Sequence, residues 1–186
     1  MELNGETLRF IREHCKDDVR SLALQAPKYP GVDMPVALTQ IAGRQAAAEK
    51  IPSWHEEEGV LYPRHLSLEQ CSSEATARYK ASIIPGSSSG TLTDLTGGFG
   101  IDCAFLSPRF HHVTYVERQE VLCEIASHNF PLLGLNHIRI ENKDGIRHLQ
   151  EMSSVDWIFI DPARRDGHGG KTVATVSYTH LTLPTI

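Results

Sequence analysis

Apolar residues recur along this chain with two different periods, and the change falls near residue 90. Before it the period is helical. Leu8, Ile11, Cys15, Val19, Leu22 and Ala23 return every three or four residues with charged residues between them, which predicts a helix over 6–26. Pro27, Pro30 and Gly31 end it. Pro35 suits a first helical turn, and Ala37, Ile41, Ala42 and Ala46 form a stripe, so a second helix is predicted from 35 or 36 to 49. Residues 51–65 carry Pro52, Trp54, Tyr62 and Pro63 without periodicity and read as an irregular linker, its aromatics used for packing. Ser67 with Gln70 fits a capping box, Ser72 and Ser73 offer a competing start, and a helix continues to 83 or 84. The stretch 85–90, P-G-S-S-S-G, reads as a flexible linker.

Beyond it, short apolar runs alternate with amphipathic segments. Strands are predicted at 92–95, 112–116, 138–141 and 155–160. Helices are predicted at 101–107, stopped by Pro108, at 120–132 and at 145–150. In the middle helix Val121, Leu122, Ile125 and Ala126 are assigned to the sheet face, with Gly134 as C-cap. Strands alternating with helices predict an α/β, Rossmann-like fold, with parallel strands in the order 3-2-1-4 behind an N-terminal helical domain. The expected divisions are 1–66 helical region, 67–90 connecting helix and linker, 91–175 ligand-binding domain, and 176–186 a tail apart from the fold.

Composition narrows the class. With 186 residues, 40% of them hydrophobic and 22% charged, the chain can bury a sizeable core. A net charge of −5 with no basic tract argues against broad charge-driven nucleic-acid binding and leaves room for a local basic patch. Cys15, Cys71, Cys103 and Cys123 form no C-x-x-C pair and read as free thiols in a reducing compartment. The ten histidines show no zinc-ligand spacing, so no metal is expected. No run is long enough for a membrane span, and the N-terminus lacks the features of a secretion signal, so the expected location is the cytoplasm.

The chemistry sits in T-L-T-D-L-T-G-G-F-G-I-D, residues 91–102. A strand runs into Asp94 and Thr96, then into Gly97, Gly98 and Gly100, where a turn can approach a ligand closely. Glu117, about twenty residues on, ends the second strand, where an acid can grip ribose hydroxyls. Asp144 follows the third run, and Asp161 with Pro162 follows the fourth. Four carboxylates thus gather at the edge where open α/β sheets bind ligands. A dinucleotide fingerprint from Gly98 finds Gly100 but Cys103 in place of the third glycine. That counts against an NAD-dependent oxidoreductase, and the acids fit S-adenosylmethionine (SAM) better.

The motifs D-L-T-G-G-F-G-I-D, Y-V-E-R, N-K-D-G and D-P-A-R-R together resemble a class I SAM-dependent methyltransferase. With D-V-R-S-L-A-L-Q, Q-I-A-G-R-Q and H-L-S-L-E-Q-C-S-S-E-A-T-A-R-Y-K, the chain up to about residue 174 resembles the bacterial THUMP-like family of RNA methyltransferases, especially those of Bacteroidetes. The resemblance implies SAM as cofactor and RNA as partner. Asp94, Thr96, Gly97, Gly98, Gly100, Glu117 and Asp144 would bind the cofactor. Asp161 and Pro162, similar to the D/N-P-P-x signature of amino methyltransferases but with Ala163 for the second proline, would orient the acceptor. Arg164, Arg165 and Ser73 would meet the substrate, Ser73 and Glu74 through likeness to a Ser/Thr-x-Glu turn beside the cofactor in trimethylguanosine synthase-like enzymes. Arg44, Gln45 and Lys50 are weighed as recognition residues against plain packing. A non-enzymatic RNA-binding or assembly module with a vestigial cofactor fold is the other reading, and the intact carboxylates count against it. Residues 176–186, V-S-Y-T-H-L-T-L-P-T-I, resemble a translated sequencing adapter, so the family's later strands are expected to be missing.

Overall fold

The computed structural model describes residues 3–84 and 90–162. Three assignments therefore lie outside the described residues, in whole or nearly so: the flexible linker over 85–90, of which Gly90 alone is described, Arg164 and Arg165 as substrate contacts, and 176–186 as a foreign tail.

Helices come first: α1 Gly5–Glu13, α2 Val19–Leu24, α3 Met34–Lys50, α4 Pro52–Glu56, α5 His65–Gln70 and α6 Glu74–Ser82. The single helix expected over 6–26 is two helices. The break is chemical: the Asp18 carboxylate accepts from Ser21 N at 2.9 Å and caps a new start, while the His14 N–H closes α1 on Phe10. The helix expected from Ser67 is also two. The Ser73 hydroxyl caps α6 through Thr76 N at 3.2 Å, so the competing start prevails. Within 51–65, Pro52 opens a short helix and residues 60–64 carry no regular structure.

The helical region has a small core of its own, Phe10, Leu22, Met34, Ala37 and Ile41. Lower on α3 the packing joins the main core: Ala47, Ile51, Trp54, Leu61 and Tyr62 lie in one cluster with the sheet residues. The segment 60–64 is stitched on both sides by buried amides. Gln40 of α3 accepts from Tyr62 N at 2.8 Å and donates to Tyr62 O at 2.9 Å. Asn129 does the same for Leu61, at 2.9 Å each way. Each amide satisfies a backbone pair that burial would otherwise leave unpaired.

The sheet follows: β1 Thr91–Asp94, α7 Ile101–Leu106, β2 His112–Glu117, α8 Glu120–Leu132, β3 Ile138–Asn142, α9 Gly145–Glu151 and β4 Trp157–Phe159. All pairings are parallel and the order is β3-β2-β1-β4, as the alternation predicts. The register sets Asp94 beside Tyr115 and Phe159, so β1 is central and Asp94 ends it at the C-terminal edge of the sheet. In α8 the buried stripe is Leu122, Cys123, Ile125, Ala126, Asn129 and Phe130. Val121, assigned to the sheet face, is instead 61% exposed, because the stripe is centred nearer 122, 126 and 129 and carries 121 past its rim. Gly134 has φ 74° after α8, the left-handed residue that ends a helix. Among the described residues no helix is long and apolar enough to cross a membrane.

Candidate functional site

The turn after β1 is shaped by the side chains beneath it. A Cβ on Gly97 would collide with the Tyr115 ring, and one on Gly100 would lie 2.9 Å from the Phe130 ring. Gly98 and Gly100 have φ of 55° and 90°, a conformation that favours glycine. Above Gly98 the space is open, its nearest neighbour being Thr96 O at 3.7 Å. The loop therefore presses on the core through Gly97 and Gly100 and offers bare backbone outward at Gly98. Tyr115 fixes the position: its hydroxyl donates to Gly98 O at 2.6 Å, and burial pushes its pKa up, keeping it a donor.

Glu117 closes the loop from the next strand. One carboxylate oxygen accepts from Gly98 N at 2.9 Å and the other from Gln119 N at 2.8 Å. Each oxygen keeps acceptor capacity for a ligand hydroxyl. Asp144 caps α9, with Oδ1 accepting from Ile146 N and Arg147 N at 3.0 Å each. The capping role was not expected, and it leaves Oδ2 for a ligand. The α9 start is pressed against β1, where a Cβ on Gly145 would collide with Leu95 O.

Asp94 lies 1% exposed at the end of β1. Burial pushes its pKa from 3.8 to about 7, with Asp102 and Glu117 adding and two hydrogen bonds from Thr96 opposing. Thr96 N donates to Asp94 Oδ1 at 2.9 Å and the Thr96 hydroxyl does so at 3.4 Å. The same hydroxyl accepts from Asp161 N at 2.7 Å. Thr96 thus joins the ends of β1 and β4, and brings two expected site residues together.

The Asp161 side chain is held from outside the sheet. Its Oδ2 lies 3.0 Å from Lys80 Nζ, at the far end of α6. Lys80 also donates to Ser72 Oγ at 3.0 Å and Asp102 Oδ2 at 3.1 Å, and its ammonium lies 5.0 Å from the centre of the Phe159 ring. Ser72 in turn donates to Asp102 Oδ2 at 2.8 Å. Asp102 Oδ1 is buried and accepts no aligned hydrogen bond, although Lys80 Nζ is 3.1 Å away. The Asp102 carboxylate is thus paired with the Lys80 ammonium and held by Ser72 in the first turn of α7.

Several expected residues have other employment. Glu74 accepts from Ser53 N at 2.8 Å and pairs with Arg78, so its carboxylate ties α6 to the start of α4. The Ser73 hydroxyl caps α6, and Ser72, one residue earlier, donates to Asp102 in the first turn of α7. Gln45 donates to Cys15 O and Asp17 O, and Lys50 to Leu68 O and Glu69 O. Both brace helix ends, which favours packing over recognition for them. Trp54 and Tyr62 are core residues, packed on Phe99 of the glycine loop with ring centres 5.1 and 6.2 Å apart.

Sequence reasoning missed four participants: Ser72, Lys80, Phe99 and Tyr115. Tyr115 was visible as a bulky residue two places before Glu117 on the same strand. Lys80 carried no signal, because its two carboxylate partners lie 22 and 81 residues away.

No family model matches the chain, and no curated protein does. Solved structures do match. The chain is similar to a protein of Porphyromonas gingivalis W83 provisionally named a methyltransferase, with a TM-score of 0.69 and 28% identity over 86% of this chain and 40% of that one. This chain therefore spans two fifths of that protein's length. It is also similar, more loosely, to a protein of Pyrococcus horikoshii provisionally named an RNA methyltransferase, with a TM-score of 0.47 and 15% identity over 71% of this chain and 66% of that one. The first likeness supports the Rossmann-like α/β fold; the second is too loose to carry an argument.

Proposed function

We propose that the chain binds SAM at the C-terminal edge of its sheet and belongs to a methyltransferase whose acceptor is an RNA base. The observation that carries the reading is the set of acids around one bare glycine turn. Glu117 is bonded to Gly98 N, Asp94 lies behind the turn, and Asp102, in the first turn of the helix that follows, pairs with Lys80. The likeness over 86% of the chain to the P. gingivalis protein supports it. The family resemblance adds RNA.

Bound there, SAM supplies a methyl group already activated by its sulfonium. The protein's task is to align two reactants, which lowers a barrier by several kcal/mol without covalent help. Gly97, Gly98 and Gly100 let the cofactor lie against the backbone. Asp94, through Thr96, holds the turn in shape. Glu117 accepts from the ribose hydroxyls, and Asp144 Oδ2 accepts from the adenine amino group. Asp161 and the Pro162 carbonyl hold the acceptor nitrogen and orient its lone pair. Arg164 and Arg165 would meet the phosphates of the RNA, and Ser73, at the start of α6, would approach the same strand.

Transfer of a labelled methyl group from SAM to RNA tests the reading. Asp161→Ala is expected to keep SAM binding and lose transfer, whereas Glu117→Ala is expected to weaken SAM binding at least about tenfold, the loss of one charge-assisted hydrogen bond. An E117A variant that binds SAM like the wild type would show the ribose assignment to be wrong.

A further inference from the structure

We propose that Lys80 is the positioning residue of this site, its ammonium fixing the direction in which the Asp161 carboxylate faces at the C-terminal edge of the sheet. The inference rests on the role given to Asp161 above, and deepens it.

Asp161 is anchored twice. Its backbone is tied to the turn after β1, since Asp161 N donates to Thr96 Oγ1 at 2.7 Å. That bond sets where the residue is but leaves its side chain free to rotate. The side chain is 48% exposed, and its bond to Lys80 at 3.0 Å supplies the missing restraint.

Lys80 is itself held firmly enough to act as a reference point. An ammonium has three donors, and Lys80 spends them on Ser72, Asp102 and Asp161, at 3.0, 3.1 and 3.0 Å. Its side chain is 24% exposed and its charge lies over the Phe159 ring. Burial opposes the charge, but the bonds to Asp161 and Asp102 outweigh it and raise the Lys80 pKa, so the residue stays an ammonium. Three separate parts of the chain meet there: the turn before α6, the first turn of α7 and the end of β4. A lone ion pair at a surface contributes little. Here one cation is shared between two carboxylates from different elements, which sets a direction as well as an attraction.

If Lys80 merely glued α6 to α7, its bonds to Ser72 and Asp102 would suffice and Asp161 would not sense its loss. The carboxyl carbon resonance of Asp161 separates the two roles. It is read by NMR in the full chain labelled at aspartate, and is assigned by its disappearance in D161N. In Lys80→Met the Asp161 resonance is expected to move while that of Asp18, remote in α2's cap, stays in place, and Lys80→Arg is expected to restore it in part. An Asp161 resonance that stays put in a folded K80M protein overturns the proposal. Should K80M unfold, the reciprocal experiment decides. With Lys80 intact, D161N must lower the titration midpoint of the Lys80 ammonium, read by nitrogen NMR; an unchanged midpoint overturns the proposal. Neither readout needs SAM, and SAM binding by the wild type is measured separately. A chain that shows the Lys80–Asp161 signature without binding SAM would therefore refute the function and not the contact.

Discussion

Replacing Asp94 by asparagine should make stability respond to pH in a way that isolates one buried acid. Asp94 is 1% exposed, and burial, with help from Asp102 and Glu117, pushes its pKa from 3.8 to about 7. In the unfolded chain it titrates near 3.8. Between these values the native state holds a proton that the unfolded state has lost. The contribution of Asp94 to stability is therefore fully present below pH 3.8 and is lost as pH rises through about 7. The gap is roughly three pH units at about 1.4 kcal/mol each, or about 4 kcal/mol. The asparagine of D94N would keep a carbonyl for the Thr96 bonds and would never ionise. The stability of D94N relative to wild type should therefore rise by about 4 kcal/mol between about pH 4 and about pH 8. Urea unfolding followed by tryptophan fluorescence across that range reads the difference, since Trp54 is buried in the core. A difference that stays flat with pH, or that turns against D94N, would refute the reasoning. The retention of a costly acid at the turn is what a binding site, and not a stability optimum, would select.

Two further substitutions test the packing beneath the glycine turn and between α8 and the helical region. Gly97→Ala places a methyl group against the Tyr115 ring, which is 0% exposed and bonded to Gly98 O, so it cannot yield; a loss of about 1–3 kcal/mol is expected in the unfolding free energy. Asn129→Ala strands both the N–H and the carbonyl of Leu61 in the core, and should cost at least about 2 kcal/mol by the same measurement.

The sheet was legible because parallel strands and their crossover helices leave a periodic record. The start and end of α8, at Glu120 and Leu132, agree with the sequence pattern, and the strand order followed from handed crossovers. The positions of the acids at the sheet edge were legible for the same reason, since Asp94 and Glu117 end their strands. What escaped was set by partners distant in sequence. Asp18 could have been read as a cap, with Ser21 three residues on, but the apolar stripe ran through it and won the argument. Gln45 and Lys50 look like recognition residues until the carbonyls they satisfy are placed beside them. Lys80 looks like an ordinary helix-surface charge until β4 brings Asp161 to it. Phe99 reads as one apolar residue in a turn, yet with Trp54 and Tyr62 it binds the glycine loop to the helical region. This contact makes the helical region part of the platform on which the loop is built.

The most direct test of the central claim is a calorimetric titration of SAM into this chain, with NAD as the control and circular dichroism to establish that the protein is folded. The account predicts saturable one-to-one binding of SAM and no comparable binding of NAD, since Cys103, 0% exposed in α7, stands where a dinucleotide fingerprint needs its third glycine. A folded chain that leaves SAM unbound, or that binds NAD as well as SAM, would contradict it.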